Sequence, residues 1–383
     1  MAQGDVTERY ATTAGETASP PAAGQRAVRV WLYLLAALVV GMVAVGGATR
    51  LTGSGLSITE WRPVTGAVPP LSAEAWAAEF DKYKDTPQYR ILNQGMGLSD
   101  FKVLYGWEWG HRLLGRVVGL VFFLPLLWFW WRGALTRRLG LGLLGLGLLG
   151  GLQGAIGWIM VASGLQPGMT AVAPLKLALH LTTASLILAG LVWLAAGLRP
   201  RVGTPEPARL RVTGVAITGL VLAQIFLGGL VAGSKAGLVY NTWPSMNGML
   251  VPPAHELFAV SPWIENFVDN LTLVQFNHRL TAYLLLALAL LHALDARRTR
   301  PGSGLARRAT GIAGLVVAQA GLGIVTLLLA VPLWAALSHQ VFAMAVLTMA
   351  TVHARATRSV TATPSRESPT TPFGFETLAG RAA

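Results

Sequence analysis

Apolar residues along this chain fall into eight long blocks separated by shorter polar or Gly- and Pro-containing stretches. The blocks are Val30 to Ala48, Leu113 to Trp131, Leu139 to Val161, Leu175 to Leu198, Val212 to Ala232, Leu271 to Leu294, Ala309 to Ala330 and Leu333 to Val352. Each is close to the roughly 20 residues that a helix rising about 1.5 Å per residue needs to cross a hydrocarbon core of about 30 Å. Soluble cores do not require such runs repeatedly. The pattern predicts an all-α polytopic membrane protein, with eight transmembrane helices arranged as two pseudo-symmetric four-helix bundles. The expected divisions are a disordered N-terminus over 1–27, a first half over 28–198, a linker over 199–211, a second half over 212–354 and a disordered C-terminus over 355–383.

The polar segments set the expected orientation. The connections after spans two, four and six hold Arg132, Arg137 and Arg138, then Arg199, Arg201, Arg209 and Arg211, then Arg297, Arg298, Arg300, Arg307 and Arg308. These are expected to be cytoplasmic by the positive-inside rule, which places both termini inside. The alternate connections are uncharged, like Ala162 to Pro174 and the turn at Val331 and Pro332, or lack a basic excess. Two of them, about 60 residues before His111 and about 40 before His278, are too long for mere connectors and suit lids or docking surfaces.

Composition agrees with this reading. Of 383 residues, 53% are hydrophobic and 12% charged, against roughly 25% charged in an average soluble domain. The net charge of +13 sits in short segments between apolar runs instead of on one basic face, so nucleic acid is not an expected partner. There is no cysteine, which excludes disulfides, thiolate nucleophiles, iron–sulfur clusters and covalent C-x-x-C-H haem attachment. Residues 1–27 carry Asp5, Glu8 and Glu16 and lack the features of a signal or transit peptide. A bacterial inner membrane is the simplest home.

The halves repeat one another. GGATRLTGSGLSITEWRPVTGAVPP from Gly46 parallels GGLVAGSKAGLVYNTWPSMNGMLVPP from Gly228, sharing the Gly pair, Gly55 with Gly237, Trp61 with Trp243, Gly66 with Gly248 and a closing Pro pair. His111-Arg112-Leu113 matches His278-Arg279-Leu280, Gln153 matches Gln319, Gly157 matches Gly323, and His180 matches His339. An even number of spans per half gives both halves one orientation, related by an axis along the membrane normal.

The repeat also sorts the seven histidines. His255, His292 and His353 have no partner in the first half and are expected to tolerate replacement without loss of bound haem. His111, His180, His278 and His339 occupy equivalent spans at one depth near the outer surface. Any one of them alone reads equally well as an interhelical hydrogen bonder. Four, paired by the repeat and with no carboxylate or thiolate beside them all, suit bis-imidazole ligation of two haem irons, one per half, better than zinc.

One difference between the halves stands out. Glu108 precedes His111 by three residues, on the same helix face, and its counterpart is the neutral Gln275. The carboxylate either orients the histidine or Arg112, or takes part in chemistry that the second half lacks. Arg112, Arg116 and Arg279 lie at the outer boundary, where snorkelling is the default and pairing with haem propionates the sharper alternative. Trp107 and Trp109 suit an aromatic belt equally well. The Gly-rich stretch Leu139 to Gly154 reads as close helix packing, with no dinucleotide or phosphate-loop fingerprint.

Taken together, several of these motifs resemble the haem A synthase family: Glu108-x-x-His111-Arg112, the R-L-T-x-S-G-L-S segment from Arg50 to Ser57 with Trp61 and Pro63, N-H-R-L from Asn277 to Leu280, and the four-plus-four repeat with its histidines. The likeness runs from about Val30 to His353. The absence of cysteine is similar to the α-proteobacterial and mitochondrial branch. The resemblance implies oxidation of the haem O methyl at ring position 8 to the formyl of haem A by successive hydroxylations. It implies haem O, as substrate, near His111 and His180, haem b between His278 and His339, Glu108 important for the chemistry, and Arg50, Arg112, Arg116 and Arg279 around the haems. The implied partners are haem O synthase, cytochrome oxidase assembly, an external electron carrier and a second copy of the chain, with the haem sites on the periplasmic side.

Two other readings compete. A di-haem, quinol-linked electron-transfer protein also needs four histidines, but its haems usually lie at opposite sides of the membrane, whereas all four here are placed outside. A transporter or haem carrier is disfavoured by the expected lack of Pro-interrupted helices at midplane.

Overall fold

The computed structural model describes residues 22–199 and 206–358. The expectations for 1–21, 200–205 and 359–383 lie outside the described residues. Eight helices are long and apolar enough to span a membrane. They are α1 (Ala22–Leu51), α4 (Leu98–Trp131), α5 (Arg137–Gly164), α6 (Pro174–Gly197), α7 (Ala208–Ser234), α9 (Leu271–Thr299), α10 (Gly304–Leu328) and α11 (Leu333–Arg358), with short α2 (Ala73–Lys84), α3 (Pro87–Leu92) and α8 (Ala254–Leu257) in the two long loops. No strand occurs among the described residues.

Sequence chemistry sets many of the helix starts. Thr136 Oγ1 accepts from Leu139 N at the start of α5, Ser303 Oγ from Ala306 N at α10, and Asn270 Oδ1 from Thr272 N and Leu273 N at α9. Each satisfies amides that a helix end leaves without an intrahelical partner. Pro174 opens α6 at a position where a missing N–H costs nothing. Ala330 and Val331, both left-handed at φ 57° and 61°, make the tight turn into α11.

α1 packs on α4 and α6, and α5 on α6, giving a first bundle; α7 packs on α9 and α11, and α10 on both α9 and α11, giving a second. The bundles meet where α6 lies along α7 and α11 touches both α6 and α1. Leu143, Leu188, Leu210, Ile217 and Leu347 are among the fully buried side chains of the continuous apolar core. Both long loops emerge at one end of the bundle, here termed the loop end, and the arginine-rich connections at the other.

One span expectation needs correction. α4 starts at Leu98, well before the expected Leu113, so His111 lies thirteen residues inside a helix instead of at its tip. The extra turns are amphipathic: Phe101 and Tyr105 pack with Phe80 and Tyr83 of α2 in a small aromatic core that makes the first loop an ordered cap. Pro125 also lies inside α4, and the helix runs on through it without interruption.

Candidate functional site

Toward the loop end of each bundle lie two histidines, each over a glycine of a neighbouring helix. A Cβ at Gly46 of α1 would lie 3.0 Å from His111 Nε2, and one at Gly157 of α5 2.8 Å from His180 Cε1. In the second bundle a Cβ at Gly228 of α7 would lie 3.2 Å from His278 Cε1, and one at Gly323 of α10 2.8 Å from His339 Cε1. The glycines that the repeat pairs thus perform the same task in both halves: they leave room for an imidazole between helices.

The rings of His278 and His339 are 6.5 Å apart, centroid to centroid. An iron about 2 Å from a nitrogen of each ring would set two centroids roughly 6 Å apart, so this separation suits a shared iron. His111 and His180 are close enough to interact electrostatically. Among the described residues no group of three or more His, Cys, Asp or Glu is placed to hold a metal ion. Two imidazoles with no third protein ligand fit a metal whose remaining positions a porphyrin fills. Buried polar atoms without partners remain around the histidines: His180 Nδ1, the Oε1 atoms of Gln153, Gln224 and Gln319, Arg116 Nη1 and Arg279 Nε. A ligand carrying its own polar groups would satisfy such atoms.

Sequence comparison within the chain does not single out Gln224. Its amide donates to His278 O at 3.0 Å, as Gln153 does to His180 O at 3.1 Å and Gln319 to His339 O at 2.9 Å. Gln153 and Gln319 are visible because they repeat; Gln224 is not, because Met42 occupies its place in the first half.

Glu108 is buried and fully engaged. Its Oε2 accepts from Ser57 N at 2.7 Å, Ser57 Oγ at 2.7 Å and Ile58 N at 2.9 Å, and its Oε1 accepts from Arg112 Nη2 at 2.7 Å. Arg112 continues to Glu60 O at 3.0 Å and Ile58 O at 2.9 Å. Gln275 makes the mirror-image bond, donating through Nε2 to Ala236 O at 2.8 Å while accepting from Arg279 Nη2 at 3.0 Å. The first loop therefore turns N–H groups toward a charge where the second turns a carbonyl toward an amide.

The remaining arginines divide. Arg116 reaches Pro63 O and Arg62 O, both at 2.8 Å, and Arg279 reaches Tyr240 O at 2.8 Å and Ser245 O at 3.2 Å. The guanidinium of Arg50, in the last turn of α1, has no hydrogen-bond or ion-pair partner among the described residues. A cavity of about 290 Å³ above the first bundle is lined by Glu60, Arg62, Tyr105, Arg112 and Arg116. Trp61 packs on Trp158 of α5 with ring centroids 5.2 Å apart, so the first loop reaches across the bundle mouth.

The unpaired histidines do not behave alike. His255 lies in α8 of the second loop. His292 and His353, which have no repeat partner in the first half, meet at the arginine end, Nε2 to Nε2 at 2.8 Å, with Thr213 Oγ1 2.7 Å from His292 Nδ1. The overlooked signal was their register: each lies fourteen residues beyond a site histidine on its own helix, His278 on α9 and His339 on α11.

A family model described as cytochrome oxidase assembly protein matches residues 29–351. The chain is 76% identical over 355 residues to Heme A synthase of Methylobacterium radiotolerans, covering 92% of this chain and 96% of that protein. It is 58% identical over 329 residues to Heme A synthase of Azorhizobium caulinodans, covering 86% and 93%, and 52% identical over 338 residues to that of Bradyrhizobium sp., covering 88% and 93%. The matched region takes in part or all of each of the eight spans and all four histidines over glycines, and the chain belongs to this cytochrome oxidase assembly protein family, the haem A synthase family that its motifs resemble.

Proposed function

We infer that this protein makes haem A, oxidising the methyl at ring position 8 of haem O to a formyl group by successive hydroxylations. The observation that carries the reading beyond the family likeness is two histidine pairs built alike but supported unequally, with a buried carboxylate at one and an amide at the other. His111 and His180 hold the substrate haem in the first half; His278 and His339 hold haem b in the second. When bound there, haem b supplies one-electron redox chemistry, exchanging electrons between the substrate and an external carrier.

The chain's own groups do the positioning. Glu108, three residues before His111, fixes Ser57 and Ile58 and orients Arg112, and so holds the first loop to α4 beside the first site. Arg50 presents a guanidinium without a protein partner to the propionates, and Arg116 and Arg279 offer an unpartnered N–H each. Methyl oxidation releases protons, and Glu108 is the carboxylate adjoining the first site that can accept one, with Arg112 holding it in place. The arginine-rich ends support, by the positive-inside rule, a bacterial inner-membrane location with termini cytoplasmic and both haems toward the periplasm. Haem O synthase, cytochrome oxidase assembly factors and a second copy of the chain are the partners in keeping with that position.

The test is the haem extracted from purified protein, followed by its turnover. Haem b together with haem O or haem A, and conversion of added haem O, are expected; b-type haem alone would overturn the reading in favour of electron transfer. That second reading gains one observation, the His292–His353 pair, which is a second histidine layer about 21 Å below the first at 1.5 Å per residue. It loses on geometry. Two Nε2 atoms in direct contact at 2.8 Å leave no room for an iron between them.

A further inference from the structure

The four site histidines are not held equally. Gln153, Gln224 and Gln319 each donate to a histidine carbonyl across a helix boundary, tying α5 to α6, α7 to α9 and α10 to α11. Each amide also lies within 3.5 Å of a ring nitrogen of the same histidine. His111 is the exception. With Gly46 matched to Gly228, Met42 stands where Gln224 stands, and a thioether has no N–H to donate. Among the described residues no hydrogen bond reaches the His111 ring. The ties from α4 to its surroundings near this level, Thr49 Oγ1 to Trp107 O at 3.3 Å and the Glu108–Arg112 network, either lie loopward of His111 or run to the loop.

A second, independent asymmetry lies beside it. α9 and α10 pack along their length, whereas α4 touches α5 at few places. Those places lie toward the arginine end, where a Cβ at Gly147 would sit 3.1 Å from Phe122 and one at Gly140 3.7 Å from Trp130. Loopward of them, Gly150, Gly151 and Gly154 have no atom within 4 Å of where a Cβ would stand. The equivalent positions of α10, counted from Gln153 and Gln319, are Val316, which is buried, Val317, which is exposed, and Ala320, which is half-buried. The helix that carries His111 is therefore packed against its neighbour α5 far less than its counterpart α9 is against α10.

We propose that His111 is the exchangeable ligand of the first-half haem. Substrate enters and product leaves by parting the His111 side, α4 moving relative to α5, while His180 and both second-half histidines stay clamped by their glutamines. This division matches the two tasks: a cofactor haem stays through every turnover, whereas a substrate haem must be released each time. The inference rests on the reading that the first half holds haem O.

The test uses full-length protein holding both haems and follows transfer of each to excess apomyoglobin, the haems being identified after extraction. The first-half haem should leave faster than haem b. Met42→Gln should slow that release by roughly two- to tenfold, the worth of one added hydrogen bond, leaving haem b release unchanged. It should also slow repeated turnover while a single turnover proceeds at the normal rate. Gln224→Met should speed haem b release by a similar factor, and it carries the test from the other half should Met42→Gln not fold. Equal release from the two halves, or release indifferent to both variants, overturns the exchange role of His111 and leaves haem A formation standing; protein holding only b-type haem overturns the functional reading itself.

Discussion

Glu108 and Arg112 share one turn of α4 and meet at 2.7 Å, Oε1 to Nη2, while the other carboxylate oxygen takes three donors from Ser57 and Ile58. Every oxygen of this buried group faces a donor. That arrangement sets what its replacement does.

Glu108→Gln introduces an amide NH2 that must point either at Arg112 or at the Ser57 and Ile58 donors, setting donor against donor in both cases. Leaving a buried donor unmatched costs about 1–3 kcal/mol, so the variant should melt earlier. At equal amounts of folded protein it should retain haem b and form haem A more slowly, with haem O or a partly oxidised haem accumulating. Ser57→Ala removes one of the four bonds and keeps the charge. If Ser57→Ala slows the conversion as much as Glu108→Gln does, the carboxylate acts by holding the loop; a normal rate in Glu108→Gln removes Glu108 from the chemistry altogether.

Gly157 and Gly323 provide a matched pair of tests. A methyl at either would press to 2.8 Å from the Cε1 of His180 or His339. Helix propensity favours alanine over glycine, so the helices themselves do not suffer. Gly157→Ala should therefore displace only His180 and lower the first-half haem content, whereas Gly323→Ala should displace His339 and lower haem b. Pyridine haemochrome spectra after extraction read both. Loss of the same haem in both variants would mean that the two histidine pairs do not serve separate haems.

Arg50 and Arg112 should separate binding from folding. Arg112 holds Glu60 O, Ile58 O and Glu108, so Arg112→Ala should lower the melting temperature by opening the loop. Arg50 has no such bonds to lose, so Arg50→Ala should leave the melting temperature nearly unchanged and raise KM for haem O, by about tenfold for one charge-assisted hydrogen bond of roughly 1.5 kcal/mol. An unchanged KM would remove Arg50 from the haem site.

What the sequence reveals follows from which constraints are local. Lipid demands long apolar runs, so the eight spans are legible, and Gly46, Gly228, Gly157 and Gly323 are legible because the same packing problem is solved twice. The start of α4 is not, since Asp100 and Lys102 interrupt the apolar run while Phe101 and Tyr105 bury against α2, a partner distant in sequence. Gln224 escapes notice for the opposite reason: it does what Gln153 and Gln319 do, but its repeat partner is Met42. The polarity of the backbone facing Glu108 and Gln275 depends on how two loops fold, which no residue type announces.

His292 and His353 show the same limit, because a search for repeat partners passes over a pair whose only partners are each other. Both rings are buried, at 3% and 0% exposure, and Thr213 completes the chain of contacts at His292 Nδ1. His353 also lies close to α7, with Cδ2 3.2 Å from where a Cβ of Gly214 would stand. The pair thus joins α7, α9 and α11 at the arginine end. Replacing His353 with Ala removes a ring and leaves His292 without its partner, at a cost of about 1–3 kcal/mol for the unmatched polar group and more for the cavity. The variant should melt earlier in detergent yet hold both haems in normal ratio once folded, because His278 and His339 lie about 21 Å away along α9 and α11. His292→Ala should do the same, and the double variant should cost less than the two singles combined, since the second change removes a group already unpaired. Loss of haem b from folded His353→Ala protein would instead place this pair in the redox site, and the electron-transfer reading would regain its ground.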